Sequence, residues 1–120
     1  MKAILIDVEN QEVTEILHDD TLASIYYHVD CGTFDVVRID DVNSIYVDDE
    51  GLFVEHQLYF KYTGTTDSVI LAGNGLILGV DDEGETISPS LTLKNVQKAV
   101  TFLPEGFEIT PKIGEVIAWL

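Results

Sequence analysis

Apolar residues in this chain come in short runs, each closed by an acidic or glycine-containing turn. That punctuation restricts the fold to short strands with few helices. Thr33 to Ile39, Ser44 to Val47 and Leu58 to Tyr62 are rich in β-branched and aromatic residues, which suit a pleated, half-buried surface. In the last of these, Leu58, Phe60 and Tyr62 alternate with Tyr59 and Lys61, the period of a strand with one face on a core. Ala3 to Val8, the turn Glu9-Asn10 and Gln11 to Leu17 make a candidate hairpin. Ser68 to Ala72 and Leu76 to Val80 flank Gly73-Asn74-Gly75. That tripeptide reads either as a hairpin turn or as a glycine break in one long strand.

Helical spacing is rarer. Leu22, Ile25, Tyr26 and Val29 recur at i, i+3, i+4 and i+7 behind the capping candidates Asp19, Asp20 and Thr21. They predict a short helix that Gly32 would stop in the left-handed conformation. Leu93, Val96, Val100 and Leu103 predict a second helix, capped by Ser90 or Thr92 and ended by Pro104. Phe107 and Ile109 alternate as in a short strand, and Ile113, Val116, Ile117 and Leu120 keep helical spacing. The expected architecture is α+β: a mostly antiparallel sheet of five to seven strands with one or two short helices packed on one face. Residues 1–120 are expected to form a single domain.

One pentapeptide occurs twice: Val47-Asp48-Asp49-Glu50-Gly51 and Val80-Asp81-Asp82-Glu83-Gly84. Asp favours the start of a type I turn and Gly its left-handed end, so both copies predict the same hairpin connection.

Charge narrows the function classes. Lys and Arg number 6 against 22 Asp and Glu, a formal net charge of −16, while 46% of the residues are hydrophobic. The hydrophobic share excludes an intrinsically disordered chain. Arg38 is the only arginine, and the lysines are scattered. Nucleic-acid binding needs clustered cations that displace counterions from phosphates, so it is not expected, and neither is an anionic membrane surface. Basic proteins or cations are the natural partners. No apolar run reaches the ~18–20 residues that span a bilayer, and Asp7 and Glu9 interrupt the first one too early for a secretory leader. The single Cys31 forms no internal disulfide, which suits a reducing cytosol. Its neighbour Asp30 raises rather than lowers a thiol pKa.

Catalytic and metal motifs are absent from the sequence. Counting from Gly51 or Gly84 as the sixth residue of an EF-hand-type loop, the twelfth is Gln57 or Ser90 rather than Glu. His18, His28 and His56 show no zinc-ligand spacing, no Gly-x-Ser-x-Gly occurs, and the glycines around Asn74 lack phosphate-loop spacing. No catalytic residue, metal ligand or cofactor is expected. Partner contacts are expected at Asp48, Asp49, Glu50, Asp81, Asp82 and Glu83. If the two turns share one end of the sheet, these six form a row of carboxylates that mimics nucleic-acid phosphates. The apolar tail ending in Trp119-Leu120 is the second candidate contact, and a homodimer through it is a further option. A different class of reading is a small-molecule or nucleotide module, or a minimal enzyme, with a pocket between helix and sheet. Its polar contacts would be Arg38 with His28 or His56.

The run Gly32-Thr33-Phe34-Asp35-Val36-Val37, the turn Asp48-Asp49-Glu50-Gly51-Leu52, and Gly73 to Gly79 followed by Asp81-Asp82-Glu83-Gly84 resemble a small domain-of-unknown-function family common in bacteriophages and mobile elements. The likeness spans roughly residues 1–88, leaving 89–120 as an extension with a helix and tail. The chain departs from it at Val54-Glu55-His56-Gln57. The resemblance implies a phage-encoded accessory protein in the host cytoplasm. Taken with the charge, the expected function is non-enzymatic binding, and inhibition, of a host protein with a basic surface.

Overall fold

A computed structural model describes residues 1–19, 21–64 and 67–107. Strands β1 (Lys2–Asp7) and β2 (Glu12–Leu17) form the expected N-terminal hairpin. Helix α1 (Leu22–Val29) follows, then β3 (Phe34–Arg38) and β4 (Asn43–Asp48). A single 3₁₀ turn, Gly51–Phe53, leads towards β5 (Tyr59–Thr63) and β6 (Ser68–Ala72). Next come β7 (Gly75–Val80), the two-residue β8 (Thr86–Ile87), α2 (Leu93–Ala99) and β9 (Val100–Phe102).

The protein is α+β and its sheets are antiparallel, as the punctuation predicts, but the strands divide between two sheets. The larger runs β2-β1-β7-β4-β3 with β8 on β7, and the smaller runs β6-β5-β9. Alternation along the larger sheet builds two cores. Ile4, Ile6, Ile45, Val47 and Ile77 point to one face, where they meet Phe60, Tyr62 and Leu71 of the smaller sheet and Val96 of α2. Ala3, Leu76 and Leu78 point to the other, where Ile25 and Val29 of α1 cover them. The two helices therefore lie on opposite faces of the larger sheet, not together on one. Strand β7 sits centrally with both faces covered, which is why it reads as an unbroken apolar run instead of alternating.

Gly73-Asn74-Gly75 is neither of the two alternatives read from sequence. β6 and β7 belong to different sheets, and the tripeptide carries the chain from one to the other. Asn74 anchors the crossing: its Oδ1 accepts the Val8 N–H at 3.1 Å, and its Nδ2 donates to the His28 carbonyl at 3.3 Å.

Local chemistry adjusts the helix ends. Thr21 caps α1, its hydroxyl accepting the Ser24 N–H at 3.1 Å. The left-handed residue after α1 is Asp30 (φ 60°, ψ 58°) rather than Gly32. Of the predicted face, Ile25 and Val29 are buried while Leu22 is 59% exposed. Helix α2, capped by Thr92, stops at Ala99, so Val100 enters β9 and pairs with Tyr62. Asn43, fully buried, fastens the β3–β4 turn to the entry of α2. Its Nδ2 donates to the Ser90 Oγ at 2.8 Å, and its Oδ1 accepts the Ser90 N–H at 2.9 Å.

The two Val-Asp-Asp-Glu-Gly copies fold differently. In the second, Asp81 Oδ1 accepts the Glu83 and Glu85 N–H groups at 2.9 Å each, Gly84 takes φ +82°, and β7 pairs back with β8. That is the predicted hairpin. In the first, Asp48 Oδ1 also accepts the Glu50 N–H, at 3.0 Å, but no hairpin follows. Gly51 is buried at the start of the 3₁₀ turn, where a Cβ would stand 3.1 Å from Ala72 Cβ and 3.2 Å from its carbonyl oxygen. There glycine permits close contact with β6, whereas in the other copy it permits positive φ.

Candidate functional site

The antiparallel pairing of β4 with β7 decides where the acidic turns lie. Tyr46 is opposite Leu76 and Asn43 opposite Gly79, so Asp48 and Asp81 leave the sheet in opposite directions. Asp48, Asp49 and Glu50 share one end with Asp7 and Asn74, since β1 pairs Ile6 with Gly75. Asp81, Asp82 and Glu83 share the other with Asp40 and Asp41, where the Val80 N–H donates to the Val42 carbonyl at 2.8 Å. The single row of six carboxylates expected from sequence does not form. Each end carries its own acidic group.

Two open clefts flank the segment after the 3₁₀ turn, at the Asp48 end. One, of about 300 Å³, lies between the C-terminus of α1, the β1–β2 turn and the 54–58 segment, with Val8, Val29 and Leu58 as apolar wall and Glu9, Asp30 and Asp48 as acids. The other, of about 490 Å³, has Leu52, Tyr59 and Phe107 as wall and Glu55 and Glu105 as acids. Val54, His56 and Gln57 border both. Gln57 holds this dividing segment in place: its Nε2 donates to the Gly51 carbonyl at 2.9 Å, and its Oε1 accepts the Leu58 N–H at 3.0 Å. His56 takes φ 55°, a left-handed conformation uncommon outside glycine.

Charge compensation is sparse. Among the described residues two ion pairs occur, Lys2–Glu15 at 3.5 Å and Arg38–Asp41 at 3.9 Å, both exposed, and such pairs contribute little. The Cys31 thiol, packed against the core under α1, is pushed up to about 11 by burial and by Asp48, Asp49 and Asp30. Nucleophilic chemistry at Cys31 is disfavoured accordingly. Partial burial works to raise the Asp40 pKa, yet hydrogen bonds from Asn43 and Val42, with help from Arg38, hold it below the ordinary carboxylate value. Among the described residues no group of three His, Cys, Asp or Glu side chains is arranged to hold a metal. No helix there is long and apolar enough to cross a membrane.

The alternative ligand contacts do not converge. Arg38 pairs with Ser44 at the Asp81 end, remote in the sheet from His56. His28 lies in the last turn of α1 with its ring edge-on to Tyr27 at 5.1 Å, and it borders a shallow depression near Leu17 instead of the clefts. His56 alone of the three reaches them. Trp119 and Leu120, with Ile109, Ile113, Val116 and Ile117, lie outside the described residues. The sequence singles out Asn74 as a turn residue, and Val54 and Gln57 only as a departure from the family, none of them as a site residue. The bonds of Asn74 to Val8 and to α1 appear only once the chain crosses between sheets.

These features define a two-sheet α+β protein with carboxylate-rimmed clefts at one end of its larger sheet. A family model described as a domain of unknown function (DUF3846) matches residues 1–101. The chain belongs to that family, and the matched stretch passes residue 88 and takes in α2. No curated protein and no solved structure gives a significant match.

Proposed function

We propose that this protein is a non-enzymatic acidic accessory protein, of the kind encoded by phages and mobile elements. On this reading it binds a host protein with a basic surface in the host cytoplasm and inhibits it by covering that surface. The observation that carries the reading is the uncompensated charge: −16 overall, with two exposed ion pairs among the described residues. Antiparallel β4 and β7 favour a version in which either end of the sheet acts by itself over one continuous nucleic-acid mimic. A surface of this kind gains on-rate and specificity from long-range attraction to a cationic partner.

The test is capture of host proteins on the tagged chain at two salt concentrations. Exposed charges are screened beyond about 8 Å at physiological ionic strength and beyond about 3 Å at 1 M. A stoichiometric basic protein held at the lower salt and released at the higher is the expected result. An empty capture at both, or a partner indifferent to salt, refutes the reading.

One observation favours a small-molecule module instead: both clefts fall within or near the few-hundred Å³ range of ligand pockets. Their linings hold carboxylates and no Lys or Arg, so a nucleotide's phosphates find no counter-charge there. Thermal stabilisation across a panel of amines and nucleotides separates the cases.

A further inference from the structure

We propose that the two clefts either side of Val54 and His56 form one groove that receives an extended basic segment of the partner protein, with Lys or Arg side chains laid into the clefts. This rests on the acidic-interaction reading above and names the surface and chemistry through which it acts. Three features of the groove match such a segment. Its lining is apolar in part, with Val8, Val29 and Leu58 on one side and Leu52, Tyr59 and Phe107 on the other. The same lining carries Glu9, Asp30 and Asp48, then Glu55 and Glu105, with no Lys or Arg, and neither ion pair of the described residues involves these acids. Val54, His56 and Gln57 border both clefts, so a peptide laid across this dividing segment reaches the two in turn.

Lys and Arg side chains bury an apolar stem while their charged head stays at a polar group, and the lining offers both apolar side chains and carboxylates. Cys31, next in sequence to Asp30, has its thiol pKa raised first by burial and then by Asp48, Asp49 and Asp30, which brings those three carboxylates near one point. A second copy of this chain is a poor occupant, because each copy brings a net charge of −16, and a nucleic acid is repelled for the same reason. Both clefts open to solvent, which suits a segment of a larger partner.

The test uses the full chain and, as probe, a fluorescent peptide alternating Arg with Leu, beside the same peptide carrying citrulline for Arg. Two variants are compared with the wild type: Asp30→Asn with Asp48→Asn in the groove, and Asp81→Asn with Asp82→Asn at the far end. Each pair removes the same charge, and Asn keeps the Oδ1 that accepts backbone N–H groups at Asp48 and Asp81, so only location differs. The expected result is about tenfold weaker binding of the Arg peptide in the groove variant and less than about twofold in the far-end variant. Amide shifts on titration should centre on Val54, His56 and Gln57. Equal weakening in both variants overturns the groove while leaving the acidic reading intact, because attraction then follows net charge. Equal affinity for the citrulline peptide also overturns it, as does concentration-dependent shifting of the groove amides without peptide, which marks a second copy as the occupant. Absence of wild-type binding at any salt overturns the groove, and the lysate capture then decides the acidic reading by itself.

Discussion

Gly51 and Gly84 close identical pentapeptides, yet alanine at each should destabilise for different reasons, and the difference is measurable. At Gly84 nothing lies within 4 Å of an added Cβ, but φ is +82°. Gly84→Ala therefore meets only the left-handed conformational penalty, about 1–2 kcal/mol. Gly84→Asn should recover much of that loss, since Asn tolerates this region better. At Gly51 the backbone needs no positive φ, and an added methyl would stand 3.1 Å from Ala72 Cβ and 3.2 Å from its carbonyl oxygen. Overpacking of this kind costs about 1–3 kcal/mol, offset by roughly 0.4–1 kcal/mol from the stiffer unfolded chain. Here Asn, being larger, should be worse than Ala. Ala72→Gly should relieve Gly51→Ala in part, since the carbonyl contact remains, and should be additive with Gly84→Ala. Urea unfolding with a constant m-value gives each difference directly. The reasoning fails if Gly84→Asn is as destabilising as Gly84→Ala, or if Ala72→Gly couples to position 84 and not to position 51.

Three further perturbations probe other parts of the structure. Asp40 accepts N–H groups from Val42 at 2.8 Å and Asn43 at 2.7 Å, and the Asn43 side-chain amide at 3.0 and 3.1 Å. Asp40→Ala should cost about 1 kcal/mol or somewhat more, chiefly by removing the acceptor of the part-buried Asn43 backbone N–H, since the Asn43 side chain keeps Ser90. Because its folded-state pKa is lowered, that contribution is fully present above about pH 4 and fades as pH falls through the lower folded value. The gap in unfolding free energy between wild type and Asp40→Ala should therefore close on acidification. Cys31, with its thiol near 11, should react slowly with iodoacetamide at pH 8. Asp48→Asn with Asp49→Asn should speed that reaction, and an unchanged rate would assign the shift to burial and Asp30. On the edge strand β3 the Val36 N–H, turned away from β4, donates to the Asp35 carboxylate at 2.9 Å. Asp35→Thr should leave this edge open to pairing and raise the sedimenting mass at high concentration; an unaltered profile would show that Asp35 does not guard the edge.

Strand existence was legible because β-branched alternation and turn residues act locally: β1–β2, α1 and β4 fall where the spacing puts them. Sheet membership was not legible, because it depends on which strand lies beside which. The crossing at Gly73-Asn74-Gly75 has the composition of a hairpin and the role of a bridge between sheets. The repeated pentapeptide shows the same limit, since Gly51 and Gly84 have identical preceding neighbours and differ only through Ala72, twenty-one residues away in sequence. Val100 and Leu103 continue a helical period, yet pairing with β5 draws the chain into β9. The charge excess of the candidate surface could be counted from the sequence. Its division between two ends followed only from the antiparallel register of β4 and β7.

The central position of β7 also sets an order of assembly. β1 leaves the ribosome well before β7, yet both cores use it against β7, whose residues come some seventy positions later, with Ile4 beside Ile77 and Ile6 beside Gly75. Until β7 is available, α1 can cover the Ala3 side of the β1–β2 hairpin, but Ile4 and Ile6 on the other side await Phe60, Leu71 and Val96 from later in the chain. Such non-local closure is slow compared with local pairing. The nascent chain therefore passes through a stage with one face and one edge of β1 unfilled, and repulsion between copies that each carry a net charge of −16 opposes their meeting there.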